Sequence, residues 1–527
     1  IISPIISETA NMNYIINNEA MVSSLWDLAN DSIAERNQAK PEIFEPKLAE
    51  KWELSDDKLV YTIYLRKGIF WHDFKHPKTN KIFKNVEVTS ADFEFYINVV
   101  KNEDVDCAPA RSYLKDLKKI QVIDNYTFKV FWEKPYFLSE SITLGLSPIP
   151  KHYYYYYKGT FDGKRFNDDY QINRKIIGCG PYKFVKWDKG QQIIMERWEK
   201  YWGKKYGIAT PIKKRIFKVV KQPTTQFQSL LAGKLDRMGM TPQLWAERTD
   251  IPEFDTENDK FLIKKFRYPS RGYSYIGYNQ TKEMFKDKET RLALTHLVDR
   301  KRILKEVYFD LGRIVTGSFF VDSPYYDKSI KPYEYSLEKA EKLLKKAGWA
   351  DRDGDGILER NGKKFEFVFM SIANSPTQER LCPILKEDFA KAGIMMQIRP
   401  IEWSVYTERL KTKSFDVCCL GWSMGYESDP FQIWHSSQAK IKGSSNHIAF
   451  KNTKADELIE KIRVTFDLKK RINFCHQFHQ LLHNQQPYTF LIARDSLVAQ
   501  HKRYKNTPVY PLGMHTTSFW IPLEKQK

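Results

Sequence analysis

Apolar and polar residues follow regular patterns along the chain, and these patterns predict its first helices and strands. Apolar residues recur at helical spacing over residues 14–35, which predicts a helix there. Residues 59–65 and 126–130 alternate between apolar and polar side chains, as strands with one buried face do. Ser336 precedes a charged amphipathic stretch that ends near Gly348, and serine is a favourable N-cap for the helix predicted there.

The later part of the chain alternates between strand and helix patterns. Strands are predicted over residues 365–370, 394–398 and 415–420, and helices over 376–392 and 403–410. Short joins between such elements are typical of a mostly parallel sheet covered by helices. In contrast, a run rich in tyrosine lies in a stretch without periodicity, beginning at residue 150 and ending at 175, which predicts a polar-aromatic loop.

The most distinctive local motif is the run Gly-Cys-Gly-Pro at residues 178–181, followed by two strand patterns and an aromatic pair at 201–202. Glycine adopts backbone angles closed to other residues and proline fixes the next one, so the run predicts a tight turn. Residues 177–203 resemble the "GTGPYK…W…ERNPDYWG" segment of extracellular solute-binding proteins of the peptide-importer class. Cys179 stands where that family usually has a small polar residue.

Further segments resemble the same family, and they occur in the same order along the chain. The family patterns are "P-x-LAESWE", "LRKGVKWHDG", "VTAEDV", a helix "F-x-D-x-x-VRxAlxxAID" and a strand and loop "FDm…GW…DP". The matching segments here are residues 44–53, 65–73, 88–93, 285–299 and 415–430. The chain is therefore identified as a member of family five of the extracellular solute-binding proteins, which includes the oligopeptide and dipeptide receptors of ATP-driven importers.

The resemblance implies an α/β fold of the two-lobed periplasmic-binding-protein type, class II, in its large peptide-receptor form with an additional inserted lobe. Residues 1–42, 178–266 and 494–527 would form the first ligand-binding lobe. The inserted lobe would be 43–177, and the second ligand-binding lobe would be 267–493. A length of 527 residues is consistent with several lobes.

The resemblance also implies a function and its partners. We expect a substrate-binding receptor that captures peptides between two lobes by closing at hinges near residues 265–268 and 491–497. It would act as a monomer and deliver its ligand to importer permease subunits in the inner membrane. Two alternatives stay open: a receptor of the same fold for a metal complex, haem or sugar, and a sensor or interaction protein outside transport.

Composition adds expectations about location and charge. The chain opens at Ile1 with neither Met nor a basic and apolar leader, which fits a periplasmic protein whose signal peptide has been removed. The net charge is +20, but the lysines are spread over helices and turns and no nucleic-acid motif accompanies them. We expect a solvated basic surface and no nucleic-acid partner, although attraction to acidic peptides or a membrane surface stays open.

The sequence offers little support for a catalytic site or a metal site. We identify no nucleophile elbow (Gly-x-Ser-x-Gly), no phosphate loop and no His-Glu-x-x-His, so we expect no catalytic residues, no cofactor and no enzyme. Asp351, Asp353 and Asp355 resemble the start of a calcium loop, but Gly362 replaces the closing glutamate, and a tight polar turn is the alternative.

Three histidines and six cysteines offer other possible metal or redox groups. His476, His479 and His483 share one helix face, and we expect them to face water rather than a metal ion. The cysteines contain no Cys-x-x-Cys pair, so we expect mostly buried free thiols, with an isolated disulfide as the alternative.

The candidate ligand residues come from the resemblance. Trp403 and Trp422 occupy the family's "EW" and "GW" positions, which line the ligand cleft. Arg271 and Tyr273 lie in the strand after the predicted crossover. Aromatic walls give contact area without demanding one partner, which suits a receptor for varied peptides. The alternative is that each aromatic is an ordinary core or rim residue.

One departure concerns the amino end of the ligand. The family's peptide receptors place an Asp three residues after the "GW" tryptophan, where it pairs with the ligand's ammonium group, but Gly425 stands there in this chain. Either Glu427 or Asp429 takes that role from a shifted loop, or the ligand has no free amino terminus. Tyr426, in the same loop, is a further candidate ligand residue. Asp429 is alternatively a cap for the helical segment 431–434.

Overall fold

The structure is a computed structural model that describes residues 1–6, 8–155 and 160–525. Its α-helices are α1 (Ala20–Ala29), α2 (Ser90–Lys101), α3 (Ala108–Tyr113), α4 (Ser139–Leu144), α5 (Lys151–Tyr154), α6 (Gly163–Asp168), α7 (Pro223–Leu231), α8 (Pro242–Glu247), α9 (Lys288–His296), α10 (Arg300–Glu306), α11 (Leu337–Lys346), α12 (Pro376–Ala390), α13 (Trp403–Thr412), α14 (Phe431–Trp434), α15 (Thr453–Val464) and α16 (Leu468–Gln485). Single 3₁₀ turns occur at Ile172–Arg174, Trp202–Tyr206, Glu283–Phe285, Ser436–Gln438, Thr516–Ser518 and Leu523–Lys525.

The strands are β1 (Ile2–Ile5), β2 (Ala34–Arg36), β3 (Phe44–Pro46), β4 (Ala49–Leu54), β5 (Val60–Leu65), β6 (Phe74–Lys75), β7 (Ile82–Phe83), β8 (Leu117–Val122), β9 (Thr127–Trp132), β10 (Tyr182–Asp188), β11 (Gln192–Arg197), β12 (Lys214–Val219), β13 (Arg237–Gly239), β14 (Ile263–Pro269), β15 (Gly272–Tyr278), β16 (Gly312–Ile314), β17 (Glu359–Arg360), β18 (Lys363–Lys364), β19 (Glu366–Ile372), β20 (Met395–Ile401), β21 (Val417–Ser423), β22 (Tyr488–Phe490), β23 (Ile492–His501), β24 (Val509–Tyr510) and β25 (Gly513–Met514). Within the described residues, no helix has both the length and the apolar character needed to cross a membrane.

The chain forms two compact units. Unit 1 comprises Ile1–Lys221, Thr225–Met238 and Gln500–Lys527, and unit 2 comprises Gln222–Thr224 and Gly239–Ala499. The three-part domain division expected from the sequence stays a prediction.

Unit 1 contains two four-stranded sheets. One has the order β1-β12-β11-β10, in which only the β1–β12 pair is parallel, and the other is the antiparallel sheet β4-β5-β9-β8. The strands predicted over 59–65 and 126–130 are confirmed as β5 and β9, which pair with each other. Both strands bury every second residue, because one face of this sheet packs inward while the other is only partly covered.

The Gly-Cys-Gly-Pro run lies in unit 1, and its glycines have a different role from the one predicted. Neither Gly178 nor Gly180 has a positive φ. They are required by close approach, because a Cβ at Gly178 would lie 1.9 Å from the Ala29 carbonyl oxygen and one at Gly180 would lie 2.7 Å from the Asn30 nitrogen. The Gly180 N–H donates to the Ala29 carbonyl at 2.8 Å, so the motif anchors the end of α1.

Two predicted elements of unit 1 are wrong. The helix expected over 14–35 is only α1, because the Asn13 and Asn17 side chains accept hydrogen bonds from nearby backbone N–H groups and hold the preceding segment out of helix. The stretch expected to be a loop instead contains α5, α6 and a 3₁₀ turn, and the Tyr153 hydroxyl donates to the Ile172 carbonyl at 2.9 Å. Residues 156–159, which include the last two tyrosines of the run, lie outside the described residues.

Unit 2 is built on a five-stranded sheet with the order β20-β19-β21-β15-β22. The predicted strands are confirmed as the parallel strands β19, β20 and β21, and the predicted helices as α12 and α13. The expectation of a mostly parallel sheet holds for β19, β20 and β21 and is corrected for β15, which runs antiparallel to both β21 and β22. β15 and β22 come from parts of the chain outside the strand and helix alternation, which therefore does not orient them.

The main core of unit 2 lies on one face of this sheet. Side chains from β15, β19, β20 and β21 pack there against α9, α10, α11 and α12. The predicted cap of α11 is confirmed, since the Ser336 side chain accepts a hydrogen bond from the Lys339 N–H. The opposite face of the sheet carries the aromatic residues described next.

Candidate functional site

Most of the predicted ligand residues lie along one edge of the unit 2 sheet. Trp403 follows the carboxyl end of β20, and Trp422 is the penultimate residue of β21. Because β15 is antiparallel, its amino end reaches the same edge, where Tyr273 lies directly opposite Trp422. Ligands of open α/β sheets bind outside the carboxyl ends of the strands, so this edge is a candidate site.

Strand alternation separates this site from the core. Ile276 and Cys419 face the helices, whereas Tyr273, Tyr275 and Trp422 occupy the other face of the same two strands. Glycine at 272 lets the strands approach closely at the edge, since a Cβ there would lie 2.6 Å from the Trp422 carbonyl oxygen. The sequence pattern thus places a row of aromatic side chains away from the structural core.

Four aromatic rings on this face lie nearly parallel. The ring centroids of His447 and Trp422 are 5.6 Å apart with an interplanar angle of 10°, and those of Trp422 and Tyr275 are 6.4 Å apart at 10°. Tyr275 and Tyr488 stack closely, at 3.8 Å and 15°. The Tyr273 ring flanks Tyr275 at 6.2 Å. The parallel rings form a continuous aromatic wall.

This wall, which we call the aromatic face (Tyr273, Tyr275, Trp422, His447 and Tyr488), holds buried polar atoms that lack well-formed hydrogen bonds. The three tyrosine hydroxyls, the Trp422 Nε1 and the His447 Nδ1 have no partner in good hydrogen-bonding geometry among the described residues, although the Tyr488 hydroxyl lies near the Trp422 Nε1 and the Tyr275 hydroxyl. Burial raises the pKa of Tyr488 and lowers that of His447 to about 3, so both rings are neutral near pH 7. Buried polar atoms are rarely left unpaired, which points to a ligand or water as their partner.

Arg271 and Trp403 flank the aromatic face along the same sheet edge. The Arg271 carbonyl accepts from the Met424 N–H at 3.0 Å, which extends the β15–β21 pairing by one step. Its side chain is partly buried, and burial lowers the pKa of its guanidinium. Trp403 is partly buried and stacks on Tyr406 at 5.9 Å and 17°. Their roles in ligand binding stay predictions.

The loop after β21 carries the predicted charged candidates. Gly425 and Tyr426 are exposed, whereas Glu427 is partly buried. The Glu427 Oε1 lies 3.8 Å from the Arg471 Nη2, so this carboxylate already faces a cation of the same unit. Its contact with a ligand stays a prediction.

Asp429 is bound within the fold. Its side chain and that of Arg463 are each about 1% exposed, and the two form an ion pair. The other carboxylate oxygen accepts from the N–H of Phe431, the first residue of α14, at 2.9 Å. The Arg463 guanidinium also lies over the Phe431 ring at 4.6 Å. This geometry matches the capping alternative, and a ligand role for Asp429 stays a prediction.

The acidic turn at residues 351–355, after α11, brings several carboxylates close together, and a lysine side chain lies among them. Carboxylate oxygens of Asp351, Asp353, Asp355 and Glu359 all lie within 4.8 Å of one another. Lys364 forms ion pairs with both Asp353 and Asp355. Asp351 accepts from backbone N–H groups in the turn, as the polar-turn alternative expects. Metal binding there stays a prediction.

The three histidines of helix α16 were expected to face water, and this prediction is wrong for two of them. His479 and His483 are buried, and burial lowers the pKa of each to about 4. His479 Nε2 lies 3.0 Å from the Thr316 hydroxyl, and the His483 ring stacks on Tyr333 at 4.3 Å. A distant chain segment therefore covers this helix face. The six cysteines are all buried and free.

The exclusion of an enzyme overlooks one motif, because residues 421–425 read Gly-Trp-Ser-Met-Gly and match the nucleophile-elbow pattern Gly-x-Ser-x-Gly. The geometry does not match. Ser423 lies at the end of strand β21, opposite Gly272, and it lacks a positive φ. The next helix, α14, begins only at Phe431, so no strand-to-helix elbow forms.

Comparison with known proteins shows the class of the chain. It belongs to the bacterial extracellular solute-binding proteins, family 5, whose pattern matches residues 44–444. The resemblance noted in the sequence is thereby confirmed, as is the mixed α/β fold of this family. Members of the family are solute receptors rather than enzymes.

Particular relatives cover most of the chain. The oligopeptide-binding protein AppA of Bacillus subtilis is 28% identical over 474 residues, which are 88% of this chain and 81% of that protein. The heme-binding protein A of Haemophilus influenzae is 27% identical over 458 residues, 84% of this chain and 78% of that protein. The structure of AppA from B. subtilis in complex with a nonapeptide superposes with a TM-score of 0.87 at 25% identity, covering 99% of this chain and 98% of that one.

Proposed function

We propose that this protein is the substrate-binding receptor of an ATP-driven importer and that its ligand is a peptide held against the aromatic face of unit 2. The observation that carries the proposal is the group of buried polar atoms on that face that have no well-formed hydrogen bond to the described residues. A peptide main chain offers a carbonyl and an N–H at every residue, so it supplies partners for such atoms whatever its side chains are.

The aromatic rings suit the same task. Trp422, Tyr275 and Tyr488 present broad apolar surfaces together with one polar atom each. Such rings bury large areas of varied side chains and still hydrogen-bond a main chain. The similarity to an oligopeptide-binding protein over 88% of the chain supports a peptide ligand.

Membership of the family supports a proposal about the location and partners of this protein. Its members are extracellular solute-binding proteins, and we propose the periplasm as the compartment of this one. Delivery to permease subunits in the inner membrane, and action as a monomer, are part of the same proposal. Closure of a hinge on the ligand stays a prediction.

A second candidate is a receptor for a non-peptide ligand. The similarity to a heme-binding protein at 27% identity favours it, because that relative covers nearly as much of the chain as the peptide-binding ones. His447 belongs to the aromatic face, is partly buried and is neutral near pH 7, so its imidazole is the candidate ligand for the metal of such a molecule.

A thermal-shift screen tests the two candidates together. Peptide pools of defined length, haem and nickel–histidine would each be added to the purified protein. A ligand that binds only the folded state raises the melting temperature by mass action. We expect a rise with at least one peptide pool and none with haem or the nickel complex. A rise with haem or the nickel complex, and none with any peptide pool, would favour the receptor for a non-peptide ligand instead.

A further inference from the structure

The partly buried guanidinium of Arg271 differs from those of the buried arginines of unit 2. Arg463 is paired with Asp429, and Arg291 donates to backbone carbonyl oxygens at the ends of two helices. Within the described residues, the Arg271 side chain has neither a hydrogen bond nor an ion pair. Because an arginine is permanently charged, partial burial without an anion costs free energy that a ligand anion would recover.

The position of Arg271 directs this unpaired charge to the candidate site. It lies two residues before Tyr273, so alternation places it on the same face, about 7 Å further along the strand. Met424, its backbone partner, follows Trp422 by two residues on the neighbouring strand. Arg271 therefore extends the row formed by Tyr273 and Trp422 at this edge of the sheet.

The acidic groups near this edge are already engaged. Glu427 faces Arg471, Asp429 pairs with Arg463 in the interior, and the exposed Glu402 beside Trp403 accepts from the Ser404 N–H. The aromatic face adds neutral groups, among them the Trp422 N–H and the Tyr273 hydroxyl. Arg271 is thus a cation without an ion pair among the described residues, and neutral donors lie beside it.

We propose that Arg271 binds a carboxylate of the ligand, with Tyr273 and Trp422 beside it as neutral donors. The inference rests on the proposed function and narrows it to peptides that bring a carboxylate to this edge. Arginine forms bidentate hydrogen bonds with carboxylates, whereas an amide offers it a single neutral acceptor. The carboxylate has two possible sources, the peptide's carboxyl terminus and an acidic side chain.

Calorimetric titration with four matched peptides separates the sources. The peptides share one sequence length and differ in two features: a free or amidated carboxyl terminus, and a Glu or Gln side chain. Arg271→Gln should weaken binding about 10- to 100-fold for the peptides whose carboxylate reaches this edge, the range for a charged hydrogen-bonded contact. It should leave the amidated Gln peptide unchanged.

Two further variants complete the test. Arg271→Lys keeps the positive charge but loses the planar guanidinium that donates two hydrogen bonds to a carboxylate, so it should retain part of the affinity. Arg399→Gln removes an exposed arginine from the edge strand β20 and should change no affinity. An equal loss for all four peptides, or no loss for any, would overturn the inference while leaving a peptide receptor. Failure of the parent protein to bind any peptide would overturn the proposed function and this inference with it.

Discussion

The Asp429–Arg463 ion pair gives the sharpest prediction about stability. Both side chains are about 1% exposed, so neither charge is solvated by water. Asp429→Asn keeps an oxygen for the Phe431 N–H but leaves the guanidinium of Arg463 buried without its anion. Breaking a buried pair from one side costs about 3–5 kcal/mol, so we expect Asp429→Asn to lower the free energy of unfolding by that amount.

Urea denaturation and hydrogen exchange measure the effect. Hydrogen exchange of the backbone amides of α14 and α15 measures the stability of the region around the ion pair. This local measurement is needed because a chain of two units does not unfold in a single step. The double variant Asp429→Asn with Arg463→Met removes both charges and should lose less than the sum of the two single variants. Glu408→Gln, on an exposed part of α13, is the control and should change little.

The alternative role of Asp429 makes a contrasting prediction. If its carboxylate held the ligand's ammonium, Asp429→Asn would leave stability nearly unchanged and would weaken free-amino peptides while sparing acetylated ones. That combination would refute a structural role for the Asp429–Arg463 pair. We expect instead that Asp429→Asn lowers the free energy of unfolding. Any change in its affinity should be the same for free-amino and for acetylated peptides.

Three other predictions concern the ligand, pH and shape. Trp403→Ala and Trp422→Ala should each weaken peptide binding by about 1–4 kcal/mol, as truncation of buried aromatic anchors does. Calorimetry checks this against the exposed Trp520→Ala, and unchanged affinity in both would remove the two residues from the site. Because the pKa of His479 falls to about 4 in the fold, stability should be full above about pH 6.5 and fall toward pH 4, by roughly 1.4 kcal/mol per unit for this group. Denaturation at several pH values should show a shallower fall in His479→Gln, and an identical fall would contradict the assignment. Small-angle scattering should show a smaller radius of gyration with saturating ligand, and no compaction would count against hinge closure.

Local patterns predicted much of the fold. The apolar periodicity placed β19, β20, β21, α12 and α13 within a few residues, and the cap at Ser336 fixed the start of α11. These features depend on residues close together in the chain. The prediction failed for the helix over 14–35, where two asparagine side chains compete with helical hydrogen bonds.

Long-range contacts explain what the sequence could not predict in the candidate site. The partner of Asp429 lies 34 residues away, and no local pattern pairs the two charges. His479 is covered by a segment around Thr316, so helix periodicity alone misjudged its exposure. Tyr275 and Tyr488 were missed, although the spacing of aromatics at 273, 275, 488 and 490 was a signal for a shared sheet face.

The central claim is that the aromatic face of unit 2 receives a peptide. The most direct test is mass spectrometry of the small molecules released by denaturing the protein after purification under native conditions, compared with the Trp422→Ala variant prepared in the same way. We expect peptides in the parent sample and fewer of them in the variant. A haem, a metal complex or a sugar released in stoichiometric amount, with no peptide, would contradict the claim.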